Sequence, residues 1–223
     1  MAGKSLTPFY VGLGVLAIAG AAFIIRGAGG RQPPLSIDTR APLAAGPRGI
    51  TMGSDSAPVE IMEFSDFECP FCGQFARVQM PDVKQRLLST GKVRWRFVNS
   101  PLQGHMKSPY AHLAAACAAE QNRFWEMHDL IYERQEDWVS ARDPLKLLAE
   151  YATQAGVDRS RYDSCISERR AWGRVLADKA LSDSLGVNGT PTFFINGRMW
   201  PGRNSPNVDQ LLALTDSLIA RKS

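Results

Sequence analysis

Two cysteines separated by two residues, Cys69 and Cys72, follow directly on an apolar run at residues 59–67 and open a segment with helical periodicity. A strand that leads into a helix in this way places the first cysteine at the helix N-terminus. Unpaired N–H groups and the positive end of the helix dipole there stabilise a thiolate over a thiol. Pro70 fits the first helical position, where a missing N–H is harmless. The pattern predicts Cys69 as a nucleophile and Cys72, one turn along, as the thiol that resolves a mixed disulfide.

The same cysteine spacing also serves zinc and copper(I) sites. A four-thiolate zinc site needs a second close pair, but Cys117 and Cys165 lie far apart in the sequence. Copper(I) would find only Met62 and Met80 as further soft ligands nearby, and both have the sequence surroundings of core residues. The histidines show no metal-ligand spacing and are expected to cap helices or lie on the surface; they are His105, His112 and His128. We therefore expect thiol chemistry without a metal or cofactor.

A further motif lies near the other end of the chain, at residues 189–197, where Pro191 heads an apolar strand. Proline is tolerated at a first or edge position of a strand and is often held cis there. Together with residues 60–72, this motif resembles the DsbA-type thiol-disulfide oxidoreductases of the thioredoxin superfamily. Residues 114–128 resemble the inserted helical domain of the same group, and the likeness extends over about residues 50–221.

The resemblance implies a role for Glu63, because a glutamate stands at the matching place in the family, six residues before the first cysteine. A half-buried carboxyl there would have a raised pKa and would exchange a proton with Cys72. The alternative is an ion pair between Glu63 and Arg94 or Arg96 on the neighbouring strand, since buried charges are usually paired. The two roles are compatible.

The resemblance also implies that Thr190 and Pro191 lie against the two sulfurs, where the Thr190 backbone would pair with an extended substrate. Phe71 is a candidate for apolar contact with an unfolded client, as are Met199 and Trp200, unless these side chains belong to the core or an edge. Phe71 also departs from the best-studied oxidases of the family, which have histidine between the cysteines.

Cys117 and Cys165 fall on two predicted helices of the insertion. An even cysteine count outside the cytoplasm favours a structural disulfide between them. Two buried free thiols, which behave as small hydrophobic side chains, are the alternative.

The periodicity predicts an α/β fold, thioredoxin-like with an inserted helical domain. Predicted strands at 59–64 and 93–98 flank a helix at 69–88 and form a right-handed βαβ unit. A strand at 192–195 then turns through Asn196 and Gly197 into a short return strand. The remaining predicted helices are 110–120, 123–135, 144–155, 159–168, 171–185 and 208–221. The predicted domains are a thioredoxin-like part at 58–101 and 186–221, and an insertion at 102–185.

The N-terminal residues 1–26 are expected to form a single apolar helix, either a membrane anchor or a signal sequence. Residues 9–25 carry no charge and, at ~1.5 Å per residue, just reach across a hydrocarbon core. Small residues typical of a cleavage site lie inside this run, which favours an uncleaved anchor. Residues 27–57, rich in glycine and proline, are predicted to be a flexible linker, with a loop packed on the domain as the alternative.

Composition excludes some functions and supports others. The chain has 223 residues, of which 44% are hydrophobic, enough for a domain with an insertion. Its net charge of +4 comes with no basic run interleaved with aromatic residues, which argues against nucleic acid as a partner. A disulfide-handling site is most useful in an oxidising compartment, so we expect a membrane-anchored protein of the cell envelope with its catalytic domain on the extracytoplasmic side, periplasmic or extracellular.

The predicted function is an enzyme that introduces disulfides into unfolded or reduced client proteins and is reset by a membrane redox partner. A reductase or isomerase kept reduced by such a partner is the main alternative, and a non-catalytic copper or peptide carrier is a further one. Asp66 and Glu68 bring negative charge close to Cys69, and Phe71 removes one stabilising donor. These features predict a disulfide less oxidising than that of a relative with histidine at this position.

Overall fold

The structure is a computed structural model that describes residue 46, residues 48–201 and residues 204–221. Within these ranges the chain forms a five-stranded sheet and nine α-helices, which confirms the predicted α/β architecture with a helical insertion. The predicted N-terminal apolar helix falls outside the described residues. None of the helices in the described ranges combines the length and the apolar character needed to span a membrane.

The sheet has the strand order β1-β3-β2-β4-β5. Its two central strands, β2 and β3, run parallel, as the predicted βαβ unit requires, and every other neighbouring pair is antiparallel. In β2 and β3 the residues alternate between buried and half-buried and then stay buried to their C-terminal ends, which is typical of strands covered on both faces. The strands are β1 (Ile50–Gly53), β2 (Val59–Ser65), β3 (Val93–Asn99), β4 (Thr192–Ile195) and β5 (Arg198–Met199).

The helix predicted at 69–88 is interrupted. The structure has α1 (Pro70–Val78), α2 (Met80–Val83) and a π-helical turn (Lys84–Leu88) in its place. Pro81 accounts for the first interruption, because it has no N–H to continue the hydrogen-bond ladder of α1. The prediction of one continuous helix was therefore wrong at this point.

The short edge strand β1 lies in the segment predicted as a linker, so that prediction is wrong for Ile50–Gly53. Glycines stand at both ends of this strand, and Gly49 and Gly53 have φ angles of +71° and +98°. A Cβ atom at either position would lie 2.5 or 2.7 Å from a carbonyl oxygen of β3. These glycines allow β1 to lie close to β3. Composition alone does not distinguish a glycine needed for such a close approach from a glycine in a flexible linker.

The main core cluster lies between the sheet, the segment from α1 to the π-helical turn, and the C-terminal helix α9 (Val208–Ala220). Aromatic rings fill its centre, where Phe75 of α1 stacks on Trp95 of β3 at 5.8 Å and contacts Phe193 of β4 at 4.8 Å. This packing fixes α1 against the sheet and so fixes the position of the cysteine motif at its N-terminus.

Between β3 and β4 the chain forms six helices, one more than predicted, because the helix predicted at 123–135 ends at Glu133 and a separate helix follows. The second and third of these helices bring side chains to the cysteine motif. The six are α3 (Ser108–Ala119), α4 (Phe124–Glu133), α5 (Gln135–Ser140), α6 (Pro144–Gln154), α7 (Arg159–Glu168) and α8 (Trp172–Ser184). A disulfide joins Cys117 of α3 to Cys165 of α7, with 5.8 Å between their Cα atoms.

Candidate active site

Cys69 occupies the N-cap position of α1, with extended backbone angles (φ −71°, ψ 122°), and Pro70 begins the helix. The turn that leads from β2 into α1 is closed by a 3.1 Å hydrogen bond from the Cys69 N–H to the carbonyl oxygen of Asp66. Both cysteines of the motif are free thiols. Only Cys69 reaches the surface, with 4% of its area exposed, whereas Cys72 is fully buried. The geometry makes Cys69 the accessible sulfur.

The two sulfurs differ in acidity. Hydrogen bonding to the Cys72 side chain is the main cause that lowers the pKa of Cys69 to about 6, against the opposing effect of burial, and Thr190 and the backbone N–H groups of Phe71 and Cys72 add to it. Burial is the main cause that raises the pKa of Cys72 well above its usual value. At neutral pH the reduced site therefore holds a thiolate on Cys69 and a thiol on Cys72.

The carboxylate of Asp66 is buried and compensated by three donors. Its oxygens accept hydrogen bonds from the backbone N–H groups of Leu102 and Glu68, at 2.7 and 2.8 Å, and the Nδ1 atom of His105 lies 2.8 Å away. Burial alone would raise the pKa of Asp66, but hydrogen bonds from His105 and His112 lower it below its usual range.

Glu68 is also compensated. Its Oε2 atom accepts the backbone N–H groups of Lys107 and Ser108, at 2.7 and 2.6 Å, at the N-terminus of α3. A helix N-terminus stabilises a carboxylate through its unpaired N–H groups and its dipole. Both acids beside Cys69 are thus held by donors of their own, and the pKa of Cys69 is lowered to about 6 in their presence.

The surface or capping roles expected of the histidines are wrong for two of them. His112 is fully buried, with its Nδ1 atom 2.7 Å from Oδ1 of Asn99, and His128 is buried among aromatic rings. His105 is partly exposed and is bound to Asp66. Among the residues that the structure describes, no group of three or more His, Cys, Asp or Glu side chains could hold a metal ion.

Glu63 lies on β2 with 1% of its area exposed. Its Oε2 atom accepts a 3.0 Å hydrogen bond from the indole N–H of Trp95, and its Oε1 atom has no partner within hydrogen-bond geometry in the described part of the chain. Burial is the main cause that raises the pKa of Glu63 to about 7. A carboxyl group with such a pKa can give or take a proton near neutral pH.

The ion pair considered for Glu63 is made by Glu60 instead. The Oε1 atom of Glu60 accepts from Arg94 and Arg96, at 2.8 and 2.6 Å. Glu60 and Glu63 point to opposite faces of β2, because side chains alternate along a strand. Glu63 is thus left without a cation among the described residues.

Two buried hydroxyl groups near Cys72 were not singled out from the sequence. Ser65 ends β2, and its Oγ atom lies 2.9 Å from the phenolic oxygen of Tyr132 on α4. Side chains alternate along β2, so Ser65 lies on the same face as Glu63. The burial of Ser65 beside Glu63 could therefore have been predicted from the strand pattern. The contact of Ser65 with Tyr132 depends on how the insertion packs, and no local sequence pattern predicts it.

Gln135, the first residue of α5, holds the backbone of the cysteine motif and was also missed. Its Nε2 atom donates to the carbonyl oxygens of Phe67 and Cys69, at 2.7 and 2.9 Å. This approach requires glycine at position 73, since a Cβ atom there would lie 2.4 Å from the Gln135 Oε1 atom. The insertion therefore fixes the turn from which Cys69 projects.

The peptide bond between Thr190 and Pro191 is cis, and the carbonyl oxygen of Thr190 accepts a 3.2 Å hydrogen bond from the Cys69 thiol. Two grooves flank Pro191, with volumes of about 400 and 310 Å³. Phe71, which is 69% exposed, lines the larger groove, whereas Met199 and Trp200 line the smaller one. Thr190 and Pro191 line both grooves, so the grooves meet beside the carbonyl oxygen that contacts the accessible sulfur.

Comparison with known proteins gives relatives of two kinds. A family model described as Thioredoxin matches residues 46–216. The chain is 38% identical over 176 residues to the Na(+)/H(+) antiporter NhaA 3 of Salinispora tropica, a match that covers 78% of this chain and 25% of that protein. It is 28% identical over 171 residues to the probable disulfide bond formation protein D of Bacillus anthracis, covering 74% of this chain and 76% of that protein.

The two Salinispora antiporters are much longer than this chain, which spans about a quarter of their length. Among solved structures, oxidised BdbD from Bacillus subtilis has a TM-score of 0.67 and 22% sequence identity, with 80% of this chain and 99% of that chain covered. This likeness shows a shared fold.

Proposed function

Because this chain belongs to the thioredoxin family, among the DsbA-type thiol-disulfide oxidoreductases, we propose that it introduces disulfides into folding client proteins through Cys69 and Cys72. The observation that carries the direction is the difference in acidity between the sulfurs, with the pKa of Cys69 lowered to about 6. A stabilised thiolate makes the reduced form more stable, and this makes the disulfide a stronger oxidant.

The exchange starts from the oxidised site. A client thiolate attacks the Cys69 sulfur, the Cys69–Cys72 bond breaks, and Cys72 leaves as a thiolate that takes up a proton. A second client thiolate then attacks the client sulfur of the mixed disulfide and releases Cys69 as its stabilised thiolate. Two electrons pass from the client to the site. Glu63 supplies the proton to Cys72, since its pKa of about 7 keeps a proton available near neutral pH.

Client binding uses the surface around Pro191. The grooves on either side of this residue accept apolar side chains of an unfolded chain, while the Thr190 backbone pairs with the client backbone. Phe71 contributes apolar contact beside the sulfur. Backbone pairing with apolar contact suits clients of varied sequence.

The site has to be reoxidised after each client. We assign this step to a membrane redox partner, and we place the catalytic part on the extracytoplasmic side of a membrane to which residues 9–25 anchor it, because a disulfide oxidase acts in an oxidising compartment. Within the catalytic part, residues 58–101 and 186–221 form the thioredoxin-like domain and residues 102–185 the insertion.

Equilibrium with a glutathione redox buffer tests the direction. The oxidase requires a reduction potential well above the value of about −270 mV that thioredoxin has, where ~30 mV corresponds to ~1.4 kcal/mol. A potential as reducing as that of thioredoxin would identify a reductase instead. Stoichiometric copper(I) uptake without oxidative refolding activity would identify a carrier.

Single-cysteine variants test the assignment of the sulfurs. Cys72→Ser is expected to accumulate mixed disulfides with clients through Cys69, because the thiol that reverses them is gone, and Cys69→Ser is expected to lose all exchange. Trapping through Cys72 in the Cys69→Ser variant would overturn the assignment.

A further inference from the structure

We propose that Gln135 is a positioning residue of the exchange reaction: by holding the turn at residues 66–69, the cysteine turn, it sets how strongly the Cys69–Cys72 disulfide oxidises its clients. The inference deepens the function proposed above and rests on it, since Gln135 acts through the backbone of the turn rather than on a sulfur. It gives the helical insertion a part in the redox chemistry.

The side-chain amide of Gln135 bonds the cysteine turn at two points. Gln135 is 7% exposed, and its Nε2 atom donates to the carbonyl oxygens of Phe67 and Cys69, at 2.7 and 2.9 Å. Both partners can only accept, so each of the two amide protons has its own acceptor. Because these hydrogen bonds are buried, no water replaces the donor when it is removed.

The backbone of Cys69 is restrained on both sides of its Cα atom. Its N–H donates to the carbonyl oxygen of Asp66 at 3.1 Å, and its own carbonyl oxygen accepts the N–H of Gly73 at 3.1 Å as well as the Gln135 amide. The first bond restrains φ of Cys69 and the other two restrain ψ. These two angles set the direction in which the sulfur projects, and Gln135 is the partner that comes from a distant part of the chain.

A second contact binds the corner between α4 and α5 to α1, with the donor on the other side. The guanidinium of Arg77 in α1 donates to the carbonyl oxygen of Tyr132 near the end of α4, at 2.7 Å. Gly73 lies between the two contacts, since a Cβ atom there would lie less than 3.0 Å from the side chains of both Gln135 and Arg77. The helix α1 and the corner therefore hold each other over one helical turn.

The corner is itself firmly held. Trp138 of α5 is fully buried, and its indole N–H donates to the carbonyl oxygen of Ile131 in α4 at 2.9 Å. At the other end of α5, the Lys107 ammonium group donates to the carbonyl oxygens of Val139 and Ala141. Both ends of α5 are thus fixed, which makes this helix a rigid support for the cysteine turn.

A fixed turn matters more to the reduced site than to the oxidised one. In the disulfide, the covalent bond to Cys72 keeps the Cys69 sulfur in place. In the reduced site, the Cys69 thiolate is held by hydrogen bonds from the Cys72 side chain, at Thr190 and from the backbone N–H groups at the start of α1. A loosened turn would weaken these bonds and destabilise the reduced form, so the disulfide would become a weaker oxidant.

Charged side chains around the turn have partners of their own. The carboxylates of Asp66 and Glu68 accept backbone N–H groups, and His105 is bound to Asp66. The charged residues that flank Gln135 in sequence are half-buried or exposed; they are Glu133, Arg134, Glu136 and Asp137. Gln135 is uncharged, so replacing it with another neutral residue alters the support of the turn and leaves the net charge around the sulfurs the same.

The test compares the unaltered full chain with Gln135→Met, which keeps the length of the side chain and removes the amide. The reduction potential against glutathione and the alkylation rate of Cys69 by iodoacetamide are measured as functions of pH. We expect the alkylation midpoint to rise by about one pH unit, and the equilibrium constant for oxidation of glutathione to fall about tenfold at pH 8, which is ~30 mV. Below about pH 5, where Cys69 is protonated in both proteins, the two potentials should agree.

Gly73→Ala tests the same contact by a second route, because it keeps the amide and displaces it from the turn. The midpoint and the potential should move in the same directions as in Gln135→Met. If Gln135→Met does not fold, the two measurements on Gly73→Ala decide the question.

Gln121→Ala is the matched control, because the Gln121 amide also bridges two parts of the insertion. It accepts the N–H of Asp158 at 2.9 Å and donates to the carbonyl oxygen of Asp158 at 3.3 Å, at the start of α7. The alkylation midpoint and the potential of Gln121→Ala should equal those of the unaltered protein.

An unchanged midpoint and potential in the folded Gln135→Met variant would overturn the inference. Equal shifts in Gln121→Ala, or a difference in potential that persists below about pH 5, would also overturn it, because either result would show a general effect of loosened packing. A potential of the unaltered protein as reducing as that of thioredoxin would instead overturn the proposed function, since the inference concerns the difference between each variant and the unaltered protein.

Discussion

The indole N–H of Trp95 donates a 3.0 Å hydrogen bond to one carboxylate oxygen of Glu63, and the other oxygen of Glu63 has no partner in the described part of the chain. One neutral donor does not replace the water that an ionised carboxylate loses on burial. The folded protein therefore holds Glu63 as an acid up to a pKa of about 7. This half-satisfied carboxyl makes stability depend on pH.

Replacing this carboxyl is expected to stabilise the protein above neutral pH. The pKa of Glu63 is raised from 4.5 to about 7, so the stability present below pH 4.5 is lost as the pH rises through 7. Glu63→Gln keeps an acceptor for Trp95 and removes this loss. Its free energy of unfolding, from urea titration of the oxidised protein, should match that of the unaltered protein near pH 4 and exceed it at pH 8 by up to about 3 kcal/mol.

Glu60→Gln is the control for that experiment. It lies on the opposite face of the same strand and loses ion pairs with Arg94 and Arg96, so it should destabilise the protein at neutral pH. Equal behaviour of the two variants would contradict the difference between the two faces of β2.

The alkylation rate of the reduced protein should rise with pH around a midpoint of about 6. Only the thiolate reacts, and hydrogen bonding, chiefly to Cys72, lowers the pKa of Cys69 to about 6. Mass spectrometry after brief iodoacetamide treatment at pH 7 should find the label on Cys69 and none on Cys72. A midpoint near 9 would show that α1 and its neighbours do not stabilise the thiolate.

His105→Gln should raise the pH midpoint of Cys69 alkylation. The hydrogen bond to Asp66 is the main cause that raises the pKa of His105, and the charge of Cys69 adds to it. Coupling between two sites is reciprocal, so a protonated His105 favours the Cys69 thiolate. The stability that His105 adds is present below pH 6.5 and is lost as the pH rises through its raised pKa. An unchanged midpoint of Cys69 alkylation would show that His105 does not affect the pKa of Cys69.

Phe71→Ser should weaken the oxidation of an unfolded client about tenfold in kcat/KM and leave reaction with glutathione unchanged. Burial of a phenylalanine side chain contributes ~1.5–3 kcal/mol, and ~1.4 kcal/mol is tenfold. Met106→Ser is the control, because Met106 is 77% exposed and lines neither groove. The reduction potential of each variant has to be measured alongside. Equal losses with glutathione and with the client would argue against a binding role.

Replacing both Cys117 and Cys165 by alanine should lower the free energy of unfolding by about 4 kcal/mol, the chain-entropy value for a loop of this length. The reduction potential of the Cys69–Cys72 pair should be retained, since the second disulfide joins α3 to α7 within the insertion. Two freely alkylated thiols in the native protein would contradict the bond.

Short-range signals predicted much of the fold. The parallel pairing of β2 and β3 follows from a strand, a helix and a strand in succession, and it is confirmed by the register. The turn at Asn196 and Gly197 is confirmed by positive φ angles at both residues. Each of these features depends on residues close in sequence, where periodicity and backbone preferences are informative.

Short-range sequence patterns could not predict the contacts between distant segments. Gln135 reaches the carbonyl oxygens of Phe67 and Cys69 across 68 and 66 residues, and Tyr132 reaches Ser65 across 67. These contacts depend on how the insertion packs, which no local pattern encodes. The sequence did allow the ion pair to be assigned to Glu60. The parallel register of β2 and β3 pairs Glu60 with Arg94 and places Glu63 opposite Phe97.

The disulfide between Cys117 and Cys165 spans 48 residues, and this has a consequence for how the protein matures. During synthesis, Cys69, Cys72 and Cys117 all emerge before Cys165 exists, so order of appearance favours the wrong partners for Cys117. The Thr190 carbonyl that binds the Cys69 thiol emerges later still, 121 residues behind it. Correct pairing of Cys117 therefore has to wait until α3 packs against α7, which brings the two Cα atoms to 5.8 Å.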